Sequence, residues 1–467
     1  MHYCNAHYSN VHYSNVHYGS GWCDSYSNRS IMKFYNRERE IKLLQSIRLQ
    51  SNTTAQMTVV VGRRRIGKTS LLKKALMEEN CVYLFVAKKS EILLCAEFIE
   101  AIENSLNVKV FGTITHFKDI FAYLMDLSKS RNFTVIIDEF QEFSSVNPSV
   151  YSEMQNIWDS NKELSKINLV FCGSIYSLMK RIFENSKEPL FARATERIHL
   201  KPFSVNTLQE IIKDYKPNYS NEDFLAFYMI TGGVAKYVEQ LVNKNAFSLE
   251  DILNEVFREN SLFLEEGKNV LIEEFGKEYA IYFSILSLIA NGKTSRSEIE
   301  SILEITIGGY LERLEIDFNI IRKVRPVLTK SGSRNIKYRL EDNFLNFWFR
   351  FVYKYKSAVE IGNYDYIKTI IQRDYSVFSG LTLEKYFIER MKESNNYSEI
   401  GTYWEKGNMN EIDIVAINEL DKRVVVAEVK RNKEKISQDI LKEKSKKLLE
   451  QFKGYEIEFQ SLSLDDM

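Results

Sequence analysis

Histidine is nearly absent from the body of this sequence. Of six, four (His2, His7, His12 and His17) crowd the start and only His116 and His199 follow, so chemistry resting on a histidine base is not expected. The five cysteines are odd in number, scattered and never in a CxxC pair, which excludes a disulfide framework or a zinc knuckle. Five prolines and 19 glycines in 467 residues exclude a collagen-like or Pro-rich linker protein. No apolar run approaches the ~20 residues of a membrane span, and no signal-peptide pattern is present. Lys+Arg and Asp+Glu are both 63, which argues against a uniformly basic binder, although a neutral total still admits local basic faces. What is present is 44% hydrophobic and 27% charged residues, the balance of a globular chain. The length implies about three domains. A multidomain cytoplasmic protein, without a membrane segment, is the expectation.

The opening HYCNA-HYSNV-HYSNV-HYGSG is a five-residue repeat without apolar periodicity. Histidine-rich tracts can bind metal, but residues 1–31 read more simply as a disordered leader. The first domain enters at Met32, where Ile41, Leu44 and Ile47 take helical spacing.

Residues 57–61, MTVVV, form an uncharged strand, followed by Gly62-Arg63-Arg64-Arg65-Ile66-Gly67-Lys68-Thr69-Ser70 and the helical pattern of 70–76. This is GxxxxGK[ST] in the strand–loop–helix setting that phosphate binding requires. Backbone N–H groups of the loop curl around phosphates, and the helix N-terminus adds its positive end. Lys68 is expected to reach the β/γ-phosphates and Thr69 to ligate Mg²⁺. A second apolar strand, Phe133–Ile137, ends in Asp138-Glu139. Asp138 is placed to hold Mg²⁺ through water and Glu139 to polarise the attacking water. Further strands are expected at 81–86 and 167–172, with helices at 90–105 and 116–129, giving a parallel α/β sheet. Ser174, at the end of the last strand, is either a polar sensor of the γ-phosphate or the N-cap of a helix over 175–184.

GRRRIGKTSLL, VIIDEFQEF, LVFCGS and PLFARATERIHLKPFS, in this order, resemble the archaeal-type P-loop ATPases of the wider AAA+ and STAND group. The resemblance runs from Met32 over nearly the whole chain. It implies ATP binding, a helical lid, and an arginine sensing the γ-phosphate, for which Arg193 is preferred over Arg197. TGGVAKY (231–237) resembles a lid motif GGxPxY, with Ala235 where proline stands in the family.

Residues 280–320 read as three helices and are followed by extended segments 320–328 and 335–342 around TKSGSR, a winged helix-turn-helix. The stretch 321–339 holds Arg322, Lys323, Arg325, Lys330, Arg334, Lys337 and Arg339 and no acidic residue, a basic wing suited to a DNA backbone or to a protein partner. The aromatic run 344–355 reads as a core helix rather than a base-stacking platform.

In the last hundred residues a strand EIDIVA is followed, after NELDKR, by VVVAEVK. Strand alternation puts Glu428 and Lys430 on one face, and Asp413 lies on the preceding strand at a hairpin's separation. Two carboxylates and a lysine at one sheet edge can hold Mg²⁺ and activate water for phosphodiester cleavage; Glu384 could add a third carboxylate. The pattern Asp413, Glu428-x-Lys430 resembles the PD-(D/E)XK nucleases, which implies a nuclease-related domain ending in a strand at GYEIEFQSLS. A surface Glu–Lys pair is the plainer alternative.

The expected architecture is therefore α/β: a parallel-sheet P-loop ATPase core over 32–204, a helical lid over 205–270, a winged helix over 271–355 and a nuclease-like α/β domain over 356–467. The expected function couples ATP state to DNA binding by the wing and metal-dependent cleavage. The alternative is an ATP-dependent switch with a protein partner and an inert C-terminal domain.

Overall fold

The computed structural model describes residues 32–467 except 78, 79, 330, 331 and 334, so the leader lies outside the described residues. Five strands, β1 (Gln56–Val61), β2 (Cys81–Phe85), β3 (Phe133–Asp138), β4 (Ile167–Gly173) and β5 (Glu196–His199), form a sheet in the order β2-β3-β4-β1-β5. Every pairing is parallel. Strands β3 and β4 are buried along their whole length, which explains their near-continuous apolar sequence: helices cover both faces. One face packs Phe98, Phe121, Trp158 and Phe183 from four helices; the other packs Leu44, Leu71 and Leu72. The parallel arrangement brings the C-terminal ends of β1, β3 and β4 to one edge, where ligands bind in such sheets.

Helices Val205–Tyr215, Asn221–Thr231, Ala235–Asn243 and Leu249–Val256 follow. Serines start three of them: Ser204, Ser220 and Ser248 each accept from the third backbone N–H onward. Such caps hold about 1 kcal/mol each. Gly232 and Gly233, both at positive φ, turn the chain into Ala235–Asn243, and Ala235 occupies its first position, where proline would also fit, so the helix forms without it.

Helices Leu262–Phe275, Tyr279–Ala290, Arg296–Leu303 and Gly308–Glu312 precede an antiparallel hairpin of β6 (Ile321–Val324) and β7 (Lys337–Leu340). The aromatic run is buried: Phe344, Phe347, Trp348, Phe349 and Phe351 join one core with the preceding helices and with the long helix Tyr364–Glu393. The segments expected as lid, winged helix and start of the last domain thus share a single apolar core.

A second sheet has the order β11-β10-β9-β8, with β8 (Glu399–Tyr403), β9 (Ile412–Asn418), β10 (Arg423–Val429) and β11 (Glu456–Leu462). β8, β9 and β10 are antiparallel neighbours, whereas β11 is parallel to β10, reached through helix Gln438–Leu449.

Candidate functional site

The loop after β1 is shaped by two glycines for different reasons. A Cβ on Gly62 would stand 2.8 Å from the Leu200 carbonyl, so no side chain fits there. Gly67 has φ +92° and is the N-cap of helix Lys68–Leu76. Lys68 is buried, and its Nζ donates to the carbonyls of Gly62 (2.7 Å) and Arg63 (3.1 Å). Burial holds its ammonium below the ordinary lysine value. Thr69 Oγ1 donates to Asp138 Oδ2 at 3.2 Å, which joins the P-loop to the end of β3. Tyr83 on β2 donates to the same carboxylate oxygen, and burial pushes the Tyr83 phenol far above its usual value.

Glu139 sits at φ 52°, a left-handed conformation unusual for a glutamate. Its carboxylate accepts from Ser174 Oγ (2.7 Å) and from Gln141 Nε2. Ser174 therefore orients Glu139 and does not cap the following helix. That helix, Tyr176–Glu184, is instead closed by Glu274, which accepts from Tyr176 N (2.9 Å) and Ser177 Oγ (2.7 Å). A cavity of about 550 Å³ is lined by residues 64–70, Asp138, Glu139 and Ser174 on one side. Phe34, Tyr35, Arg37 and Phe203 line it on another, and Ala235, Lys236 and Glu239 close it. Its volume is within the range of small-molecule sites.

The three loop arginines each pair with a carboxylate from beyond the parallel-sheet region. Arg63 meets Asp342 at 3.1 Å, Arg64 meets Glu273, and Arg65 Nε meets the fully buried Glu266 at 3.0 Å. Arg63 faces a neighbouring cavity rather than the one over the loop. Arg193 is not among the residues lining the cavity: it grips Asp159 through Nε and Nη2 (2.8–3.2 Å) and donates to the Pro189 carbonyl. Arg197 donates to the Phe183 carbonyl.

Residues 34–241 match an ATPase domain found predominantly in Archaea. This segment is an ATPase domain of that family. Residues 348–449 match a domain of archaeal and bacterial proteins of unknown function. An uncharacterised protein of Methanocaldococcus jannaschii is 28% identical over 438 residues, covering 90% of this chain and 94% of its own. A second uncharacterised protein of that organism is 36% identical over 76 residues, 14% of this chain and 74% of its own. Among solved structures, a Walker-type ATPase of Pyrococcus abyssi superposes with TM-score 0.51 at 19% identity, over 68% of this chain and 96% of that one; the likeness is one of fold.

The ATPase carries a second charged cluster on its C-terminal sheet. Ala427 faces Ile414 across β9 and β10, with Glu428 and Asp413 one step on. Lys430 Nζ lies 3.0 Å from Glu428 Oε1 and 3.3 Å from Asp413 Oδ2, while Val429 N donates to the same Asp413 oxygen at 2.8 Å. Glu428 Oε2 is buried with no hydrogen-bond partner. Glu384, on the long helix, is pushed up to about 8 by burial and then by the neighbouring Asp413. Burial also raises Asp413, against the Val429 N–H that lowers it. Two carboxylates with one orphaned oxygen fit a divalent ion, although no group of three His, Cys, Asp or Glu side chains poised for metal exists among the described residues.

The hairpin departs from the picture of a free basic wing. Arg322 pairs with Glu341, Lys323 with Glu315, Lys337 with Glu411 and Arg339 with Glu384. The stretch is free of acids only in sequence; in space four of its cations are matched by carboxylates that lie outside residues 321–339. Lys330 and Arg334 lie outside the described residues. Among the described residues no helix is long and apolar enough to cross a membrane.

The linear reading missed Tyr83, Gln141, Glu266, Glu273 and Glu274. Gln141 stands in the quoted VIIDEFQEF; for the glutamates, no local signal separates them from a solvated helix face.

Proposed function

We propose that this ATPase hydrolyses ATP over Gly62–Ser70, with Glu139 polarising the attacking water. The observation that carries the reading is the hydrogen bonding of Glu139 by Ser174 and Gln141 beside the Thr69–Asp138 contact. A carboxylate held by two donors keeps one geometry, which general-base catalysis needs. Thr69 and Asp138 would hold Mg²⁺, which offsets phosphate charge when bound. Lys68, freed from the Gly62 and Arg63 carbonyls, would turn to the β/γ-phosphates, and Arg64 and Arg65 would compete for them. Arg193 would act in this site only across a contact with another molecule, because its own Asp159 holds it.

The winged-helix segment 271–355 and the C-terminal sheet would then respond to nucleotide through the pairs of Arg63 with Asp342 and Arg64 with Glu273. Asp413 and Glu428 would hold a divalent ion there, with Lys430 offsetting charge on a scissile phosphodiester. ATP turnover by Lys68→Ala and Glu139→Gln tests the first part: Lys68→Ala should abolish it, and Glu139→Gln should bind ATP without turning it over. Retained turnover in both would sink the assignment. Cleavage of plasmid DNA with and without ATP, by wild type and Glu428→Ala, tests the second.

The compensated hairpin favours a second reading, an ATP-dependent switch that binds a protein partner. If charge reversal of Arg322 and Lys323 leaves DNA affinity unchanged and no nucleic acid is cut, this reading takes over.

A further inference from the structure

The charged cluster on the C-terminal sheet is built by two parts of the chain. Arg339, on β7 of the hairpin, reaches Glu384 at 3.7 Å; Lys430 bridges Asp413 and Glu428; Lys444 stands 3.5 Å from Glu428. Three cations thus face Asp413, Glu428 and the carboxyl of Glu384, which burial holds toward its protonated form. The hairpin is not resting there by one ion pair. Val327 N donates to the Thr402 carbonyl at 3.0 Å, and Trp404 Nε1 donates to Asn335 Oδ1 at 2.8 Å. Lys337 lies over the Trp404 ring at 4.5 Å while pairing with Glu411. Gly401 leaves room for this docking, because a Cβ there would stand 2.8 Å from Val327.

Internal pairing sets up a competition. A divalent ion entering at Asp413 and Glu428 displaces Lys430, and an anion taken by the cations releases the carboxylates. Each ligand removes the other's competitor, so their binding is positively linked. Arg339, Lys430 and Lys444 all remain partly exposed, open to a ligand from solvent. A guanidinium fork suits phosphate oxygens better than an ammonium does.

We propose that Arg339 is a phosphate-binding residue of the C-terminal site, which hairpin and sheet therefore build together and which takes a phosphodiester backbone cooperatively with a divalent ion. The proposal rests on the reading of Asp413, Glu428 and Lys430 given above. Its test uses the full chain, a fluorescent single-stranded DNA measured by anisotropy in EDTA, and Mn²⁺ binding followed by electron paramagnetic resonance. Arg339→Gln should weaken DNA about fivefold or more and lower the salt dependence of binding by about one phosphate contact. Arg339→Lys should recover most of the loss. Glu384→Gln, which frees Arg339 from its internal partner, should tighten DNA binding in EDTA. DNA should tighten Mn²⁺ binding to wild type, and less so to Arg339→Gln.

Equal DNA affinity and salt slope in folded Arg339→Gln and wild type, with Mn²⁺ binding abolished by Asp413→Asn, overturns the Arg339 proposal and leaves the carboxylate site standing. Loss of DNA affinity in Arg339→Gln from a protein that binds no Mn²⁺ retracts the metal reading and keeps Arg339. If Arg339→Gln does not fold, Glu384→Gln decides: unchanged DNA affinity in EDTA overturns the proposal.

Discussion

Ser174 and Glu139 come from different strand ends, and the hydroxyl fixes where the carboxylate points. Ser174→Ala removes one of two donors without touching the P-loop. ATP turnover should fall roughly tenfold or more while ATP affinity stays near that of wild type, read as a change in kcat with KM held. A matched loss of affinity would mean that Ser174 contacts nucleotide rather than Glu139. Tyr83 makes a parallel case. Its hydroxyl donates to the oxygen of Asp138 that also receives Thr69. Tyr83→Phe should leave the fold intact, since the ring stays in place, and should weaken Mg²⁺-dependent nucleotide binding only as far as Asp138 loses its orientation.

The helix Leu262–Phe275 gathers three carboxylates onto the ATPase core: Glu266 on Arg65, Glu273 on Arg64, and Glu274 on the first turn of Tyr176–Glu184. Gly267 permits the helix to lie against Trp348, whose ring a Cβ would meet at 2.2 Å. Burial raises the Glu274 carboxyl above its ordinary value, and the Tyr176 and Ser177 donors only partly oppose this. In the folded protein Glu274 therefore holds its proton to higher pH than in the unfolded chain. Its contribution to stability is full below the unfolded glutamate value, near ~4.3, and is lost as pH rises through the folded value. Glu274→Gln should flatten that part of the stability profile, measured as Tm against pH from acid to neutral. An unchanged profile would show that Glu274 is ionised and satisfied by its donors across the range. Within the same elements, the hairpin's basic sequence conceals its pairing: Glu315 and Glu341 flank the stretch, Glu384 and Glu411 lie farther along the chain, and only folding brings them to its cations.

Across the whole molecule, Arg63, Arg64 and Arg65 tie the nucleotide loop to the end of the lid and to the segment that follows it. Bound phosphates would draw Arg64 and Arg65 away from their carboxylates, so ATP affinity carries the cost of breaking those pairs. Glu273→Gln should tighten ATP binding severalfold by removing one competitor, measured by calorimetry. Weaker binding would mean that Glu273 organises the loop for nucleotide. Arg65→Ala is the opposite kind of change: it strips the charge partner from fully buried Glu266, and Tyr237 alone remains to donate to it. Breaking one side of such a pair destabilises by about 3 kcal/mol, a fall of several degrees in Tm.

Much of this protein is decided locally. A phosphate loop needs a short apolar strand, two glycines and a helix start in immediate succession, so Gly62–Ser70 is legible in one dimension. The same holds for Asp138 at the end of a wholly apolar strand, and for Asp413 facing Glu428 across a short hairpin, because a strand's two-residue period leaves one register for them. Other decisions need the third dimension. Nothing near Arg63–Arg65 signals Asp342, Glu273 or Glu266; nothing near Arg193 signals that Asp159 will hold it; nothing near Arg339 signals Glu384. Ion pairing acts over a few ångströms of space whatever the separation along the chain, so the sequence determined which charges the protein carries, and the packing of lid, hairpin and long helix into one core decided which of them meet.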